Sequence, residues 1–96
     1  MMSAAVARLG DLCSGHEAFP SRPSIGASPN VYVNGRALLR QDDAFAVHTD
    51  GRTVHGGVVS GGSATVFCNG RAVARVGDAV SCGSSIAQGS PNVRCG

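Results

Sequence analysis

Along the whole chain, short apolar-rich runs alternate with polar turn signals, and no window of about 11 residues carries a clean helical period. The runs Val31-Tyr32-Val33 and Val66-Phe67-Cys68 are each followed by Asn-Gly, at Asn34-Gly35 and Asn69-Gly70. That dipeptide suits a type I′ turn, because both central residues need positive φ, so each run predicts the first strand of a β-hairpin. With a side-chain period of two, Val31 and Val33 share one face with Val66 and Cys68, while Tyr32 and Phe67 point the other way. Gly and Pro recur too often for helices, so the expectation is an all-β chain with little helix.

The two hairpins are copies. Ser28 to Arg40 realigns on Ser63 to Arg75, 35 residues later, with seven of thirteen positions identical. The match runs on past the arginine, where Gln41-Asp42-Asp43 corresponds to Val76-Gly77-Asp78. A third copy is split between the ends of the chain: Gly89 to Cys95 supplies its first half and Ala5 to Asp11 its second. Three units whose outermost halves complete one another predict closed pseudo-threefold symmetry within a single domain spanning residues 1–96.

Between the units run three connections, Leu12 to Ala27, Ala44 to Gly62 and Ala79 to Gly89, of 16, 19 and 11 residues. They are rich in Gly, Ser and Pro and read as loops. Loops beyond about 12 residues are uncommon in compact domains unless something ties them down. Counting from the aspartate that ends each unit, His16 follows Asp11 by five residues, His48 follows Asp43 by five, and Cys82 follows Asp78 by four. Around a threefold axis these side chains would converge, and His55 in the longest loop completes a set of three imidazoles and one thiolate. Four nitrogen and sulfur donors are the ligand set of a structural zinc site, so one Zn²⁺ held by His16, His48, His55 and Cys82 is expected. The argument rests on repeat equivalence, since the chain contains no Cys-x-x-Cys and no His-x₃₋₅-His.

Composition bears on what else holds the chain together. At 96 residues, with 4% aromatics and no Trp, the core must be built from small aliphatics, and apolar burial alone gives a chain of this size a thin margin. Eight basic residues, all arginine, against six acidic ones leave +2, too small and too scattered a charge for a nucleic-acid partner. No apolar run approaches the roughly 18 residues of a membrane-spanning helix, and Met1 to Leu9 lacks the h-region of a signal peptide. The expected site of synthesis is therefore the cytoplasm, where four cysteines read as thiols or ligands and not as two disulfides. Cys68 and Cys95 occupy the position of Val33 and read as core residues; Cys13, near His16, stays open between core and ligand. Asp11, Asp43 and Asp78 read as turn formers. Arg8, Arg40 and Arg75, with Arg36 and Arg71, read as solvated or paired with those aspartates, with a role in docking a partner left open. Ser60, Ser63, Ser84 and Ser85 have no base beside them in a recognisable arrangement.

The order Val6-Ala7-Arg8-Leu9-Gly10-Asp11, Gly15-His16, Ser28 to Arg36, His48, His55, Thr65 to Asp78 and Cys82-Gly83 resembles the PAAR-repeat proteins over nearly the whole chain. The proline of the namesake motif is replaced by Ala5, Ala37 and Ala72, and the middle unit has Gln41-Asp42-Asp43 in place of Val-Gly-Asp. The resemblance implies a small β-rich cone whose apex is sharpened by the zinc and whose base caps a trimeric VgrG-type or phage-type spike, one copy per trimer. It also implies a place at the tip of a contractile injection machine of the type VI secretion or phage-tail kind, driven outward into transient contact with a target envelope. The third copy ends at Gly96, so any effector would be a separate cargo.

The function expected is mechanical and not enzymatic. The alternative is a small zinc hydrolase, which would need an open coordination position and a base such as Asp50. A redox or nucleic-acid-binding zinc module lacks its Cys-x-x-Cys pair and basic stripe.

Overall fold

The computed structural model describes residues 3–16, 19–49 and 51–96, with the side chain of His55 outside that description. The described residues contain no helix. Eight strands run β1 (Ala4–Ala5), β2 (Tyr32–Val33), β3 (Arg36–Ala37), β4 (Ala44–Thr49), β5 (Val54–Val58), β6 (Phe67–Cys68), β7 (Arg71–Ala72) and β8 (Arg94–Cys95). They pair antiparallel as β2·β3, β6·β7, β4·β5 and β1·β8.

The two complete hairpins turn as the sequence dictates. Asn34 and Asn69 lie at φ 55° and 53°, and Gly35 and Gly70 at 77° and 78°, the positive pair of a type I′ turn. In the third unit β8 pairs with β1, Cys95 opposite Ala4 and Arg94 opposite Ala5, so the two ends of the chain supply the strands of one hairpin.

What joins the units is a cycle of backbone bonds. The Ala7 N–H donates to the Ala74 carbonyl (2.9 Å), Ala74 to Leu39 (3.1 Å) and Leu39 back to Ala7 (3.1 Å). A second cycle runs outside it, from Leu9 to Ala37, Gln41 to Ala72 and Val76 to Ala5. The same bonds recur between repeat-equivalent residues and close on themselves, an equivalence of contacts among all three units. Each of these bonds crosses a unit boundary, so no unit completes its hydrogen bonding alone.

Successive residues of an extended segment point to opposite sides, and here they separate two apolar clusters. Val6, Leu38 and Val73 join Cys68 on one side, with Val33 and Cys95 packed against them. Ala7, Leu39 and Ala74 join Cys13, Phe45, Val59, Val80 and Ile86 on the other. Cys68 and Cys95 thus take the apolar role of Val33. Cys13 also belongs to the core: it is equivalent to Phe45 and Val80, and its sulfur accepts a hydrogen bond from the Arg22 N–H at 3.3 Å. The outer strands are less covered than their alternation implied. Val31, Val66 and Val93 keep 37–39% of their surface exposed, while Tyr32 and Phe67 are 63% and 61% exposed.

The recurring charges are paired at the unit ends. Each unit ends in a four-residue turn whose aspartate accepts from the backbone N–H and the guanidinium of the arginine three residues earlier. Asp11 holds Arg8, Asp43 holds Arg40 and Asp78 holds Arg75, through two guanidinium bonds of 2.9–3.1 Å each. Arg36 and Arg71 add a second cation to Asp11 and Asp43, each at 3.2 Å. The arginine heads also donate to the Gly89, Ala27 and Gly62 carbonyls, each the residue that leads into the arginine's own unit, and Arg8 and Arg40 reach across units to the Asn34 and Asn69 side chains. These arginines are therefore internal fasteners, and none of Arg8, Arg40 and Arg75 is a free docking group. The hydrogen bond to Asp43 raises the already high pKa of Arg40 against the lowering effect of burial, and Asp78 does the same for Arg75. The substitution of Asp42 for glycine in the middle unit leaves this turn intact: Asp42 adopts φ 74°, where Gly10 and Gly77 have 89° and 95°.

The expectation of three structureless loops needs correction in the middle. Strands β4 and β5 pair as the longest hairpin among the described residues, with a bulge between Phe45 and His48. Phe45 and His48 turn inward while Val47 and Thr49 face solvent; the bulge lets two residues three positions apart share the inner face, so strict alternation does not announce this strand. Nor are the loops tied down by ligands alone. Their backbones bridge one another in a further cycle, Ser24 to Phe45, Val59 to Val80 and Cys13 to Ile86.

Candidate metal centre

Above the second cluster, the three connections bring His16, His48 and Cys82 together. Their ligand atoms all lie within 4.8 Å of one another. Each arrives by a different local device. Gly15 precedes His16 at φ +72°, and a Cβ there would meet the Phe19 carbonyl at 2.6 Å, so only glycine lets segment 19–21 fold back so closely. His48 projects inward from β4. Cys82 sits against Gly57 of β5, where a Cβ would lie 2.9 Å from Val80 and 3.1 Å from Cys82.

The His48 ring is 4% exposed, and its Nδ1 faces the Pro20 carbonyl oxygen at 2.9 Å. A carbonyl only accepts, so Nδ1 carries the proton, and the neutral ring in this tautomer presents its lone pair at Nε2, which is shut off from solvent. The rings of His16 and His48 meet edge to face at 5.0 Å, and Phe19 contacts both, stacked on His16 at 4.8 Å and tilted against His48 at 4.9 Å. Serines lace the first and third connections beside them: the Ser84 hydroxyl accepts from the Gly15 N–H at 2.9 Å, and the Ser14 backbone N–H donates to the Ser85 carbonyl at 2.7 Å.

Three of the four residues expected from the sequence therefore converge. His55 stands directly opposite His48 in the β4·β5 register, and its side chain lies outside the described residues, as does Asp50, the base considered for hydrolysis. Sequence reasoning missed Phe19 and Pro20, whose roles depend on a fold-back that no local pattern announces.

Tetrahedral zinc with bonds of about 2.0–2.3 Å places its ligands roughly 3.3–3.8 Å apart. The cluster is within about an ångström of that spacing, its donors are two nitrogens and a sulfur, and the Pro20 carbonyl occupies Nδ1 of His48, which makes Nε2 its ligand atom. The residues present fit a borderline-soft divalent metal, and they could hold one.

The PAAR motif matches residues 49–96, half of the chain. This chain belongs to the PAAR-motif family. The assignment places it among the spike-tip proteins of secretion and phage-like injection systems. No curated protein matches the sequence closely enough to refine that placement. The matched half contains β5 to β7, Cys82 and β8, so it covers one complete hairpin, one converging ligand and the strand that closes the split unit.

Proposed function

We propose that this PAAR-family chain is a metal-pinned, non-enzymatic cap for the blunt end of a trimeric spike, one copy per trimer. The observation that carries the reading is the closed cycle of Ala7, Leu39 and Ala74. It gives one polypeptide three equivalent segments, which is what a monomer needs to meet three identical subunits at the end of a homotrimer. On the side of that cycle away from the histidines, Val31, Val66 and Val93 are exposed at equivalent positions, with Tyr32 and Phe67 beside them. They form the docking face. On the other side, His16, His48 and Cys82, with His55 as fourth ligand, hold one Zn²⁺ that draws the connections into a rigid point. The described part of the molecule measures 38 × 28 × 22 Å, a size suited to a tip. Such a cap is synthesised in the cytoplasm and carried outward through a target envelope.

The test is native mass spectrometry of the full chain, alone and mixed with a trimeric spike protein. One zinc per chain and one chain per trimer are expected. Three chains per trimer would overturn the capping geometry, and a folded, metal-free preparation that takes up no zinc would overturn the pinned apex.

A further inference from the structure

Phe19 stands apart from both apolar clusters: its ring packs on the two imidazoles of the metal centre. An aromatic side chain normally buries among aliphatics, and one spent on two ligand rings constrains their orientation. Its backbone is locked to the same place. The Phe19 N–H donates to the His16 carbonyl at 2.7 Å, and the His16 N–H donates to the Phe19 carbonyl at 3.0 Å. The next residue, Pro20, supplies the carbonyl that accepts from Nδ1 of His48. Gly15, whose missing Cβ admits segment 19–21, completes the arrangement. One short stretch of the first connection thus brings a ligand, a ring that braces two ligands, and the acceptor that fixes the tautomer of the second.

We infer that Phe19 and Pro20 form a clamp over the His16–His48–Cys82 centre, orienting both imidazoles for ligation and slowing the escape of a bound divalent metal. The inference rests on the metal reading above. Its physical basis is that a metal leaves a site one ligand at a time, and the first ligand to dissociate must rotate away. His16 cannot swing without breaking its stack with Phe19, and His48 cannot turn without losing the Pro20 bond and pushing against the same ring. Phe19 is a positioning residue and touches no metal itself. Removing the groups that orient metal ligands typically costs about 10–100-fold in metal affinity.

The experiment loads the full chain with one equivalent of Co²⁺, whose visible absorption reports the thiolate and the coordination number, and chases it with excess EDTA. Phe19→Ala is expected to lose cobalt at least about tenfold faster than the natural chain. Phe19→Leu, which keeps apolar cover without a flat ring, should fall between them and guards against misfolding of the alanine variant. The metal-free forms should differ much less in melting temperature than the loaded ones, since the ring lies outside both apolar clusters. Equal release rates in all three chains would overturn the clamp while leaving the metal centre standing. Metal-free variants that melt as far below the natural chain as the loaded ones would overturn it too, by showing Phe19 to be a packing residue. A natural chain that binds neither cobalt nor zinc would remove the centre and the clamp together.

Discussion

The ring of arginine–aspartate turns and the three connections leading to the metal centre are fed by the same chain segments, yet they tolerate opposite degrees of variation. In the ring, the bond from the arginine backbone N–H to its aspartate is 2.7, 2.8 and 2.8 Å in the three units. In the connections nothing repeats so closely: one folds back at His16–Phe19, one is a β-hairpin, and one is a tight turn closed by the Gly83 N–H on the Val80 carbonyl. The difference follows from how many partners each must satisfy. A ring residue bonds a neighbouring unit and is bonded by another, so a change in one unit disturbs two. A connection need only join its neighbours by a backbone bridge and bring a donor atom to a common point, and several backbone paths end there.

Breaking the ring should therefore have the largest effect, and one independent of metal. Asp11 is 1% exposed and accepts from the Arg8 backbone, the Arg8 guanidinium and Arg36. Asp11→Ala leaves Arg8 buried and uncompensated, at a cost of about 3–5 kcal/mol. Urea denaturation should show that loss with zinc and with chelator alike. Cys82→Ser should behave in the opposite way. Its destabilisation, about 3–4 kcal/mol at zinc concentrations near a thousandfold Kd, should vanish once chelator is added to both chains. A Cys82→Ser loss that persists without metal would make the thiol a core residue and erase the contrast.

The smallest effect sharpens the comparison within the ring. Asp11 and Asp43 each hold two arginines, whereas Asp78 holds Arg75 alone, because the position equivalent to Arg36 and Arg71 is Ala4. The third pair is correspondingly wetter, its arginine side chain 22% exposed against 11% and 10% in the other two. Ala4→Arg should restore the missing cation and stabilise the chain by roughly 0.5–1 kcal/mol, an effect weakened by salt because the added head is at the surface. Thermal denaturation at low and high ionic strength reads both the gain and its screening.

The hairpins, their Asn-Gly turns and the completion of one unit by the two chain ends were legible because each depends on a few adjacent residues that recur, two units complete and the third split. The convergence of His16, His48 and Cys82 was legible only through that repetition, since no local spacing marks it. The β4·β5 hairpin was not, because Gly56 and Gly57 break the apolar alternation, and Gly57 is there for contact with Val80 and Cys82 from another connection. The arginines were ambiguous for a related reason. Arg40 in isolation is an ordinary surface residue; it is interior because the Ala27 carbonyl at the end of the first connection and the Asn69 side chain of the next unit close over it.

By itself, then, the sequence determined the repeat, the turns, the strand faces and the residue types available for a metal, all properties carried by neighbours along the chain. Only the tertiary structure decided which groups face one another across units: that Cys13 packs as Phe45 and Val80 do, that Asp11 gathers two arginines and Asp78 one, and that Phe19 and Pro20 close on the histidines. Those choices arise from bonds between segments tens of residues apart, where the energy of a contact depends on a geometry that no single segment specifies.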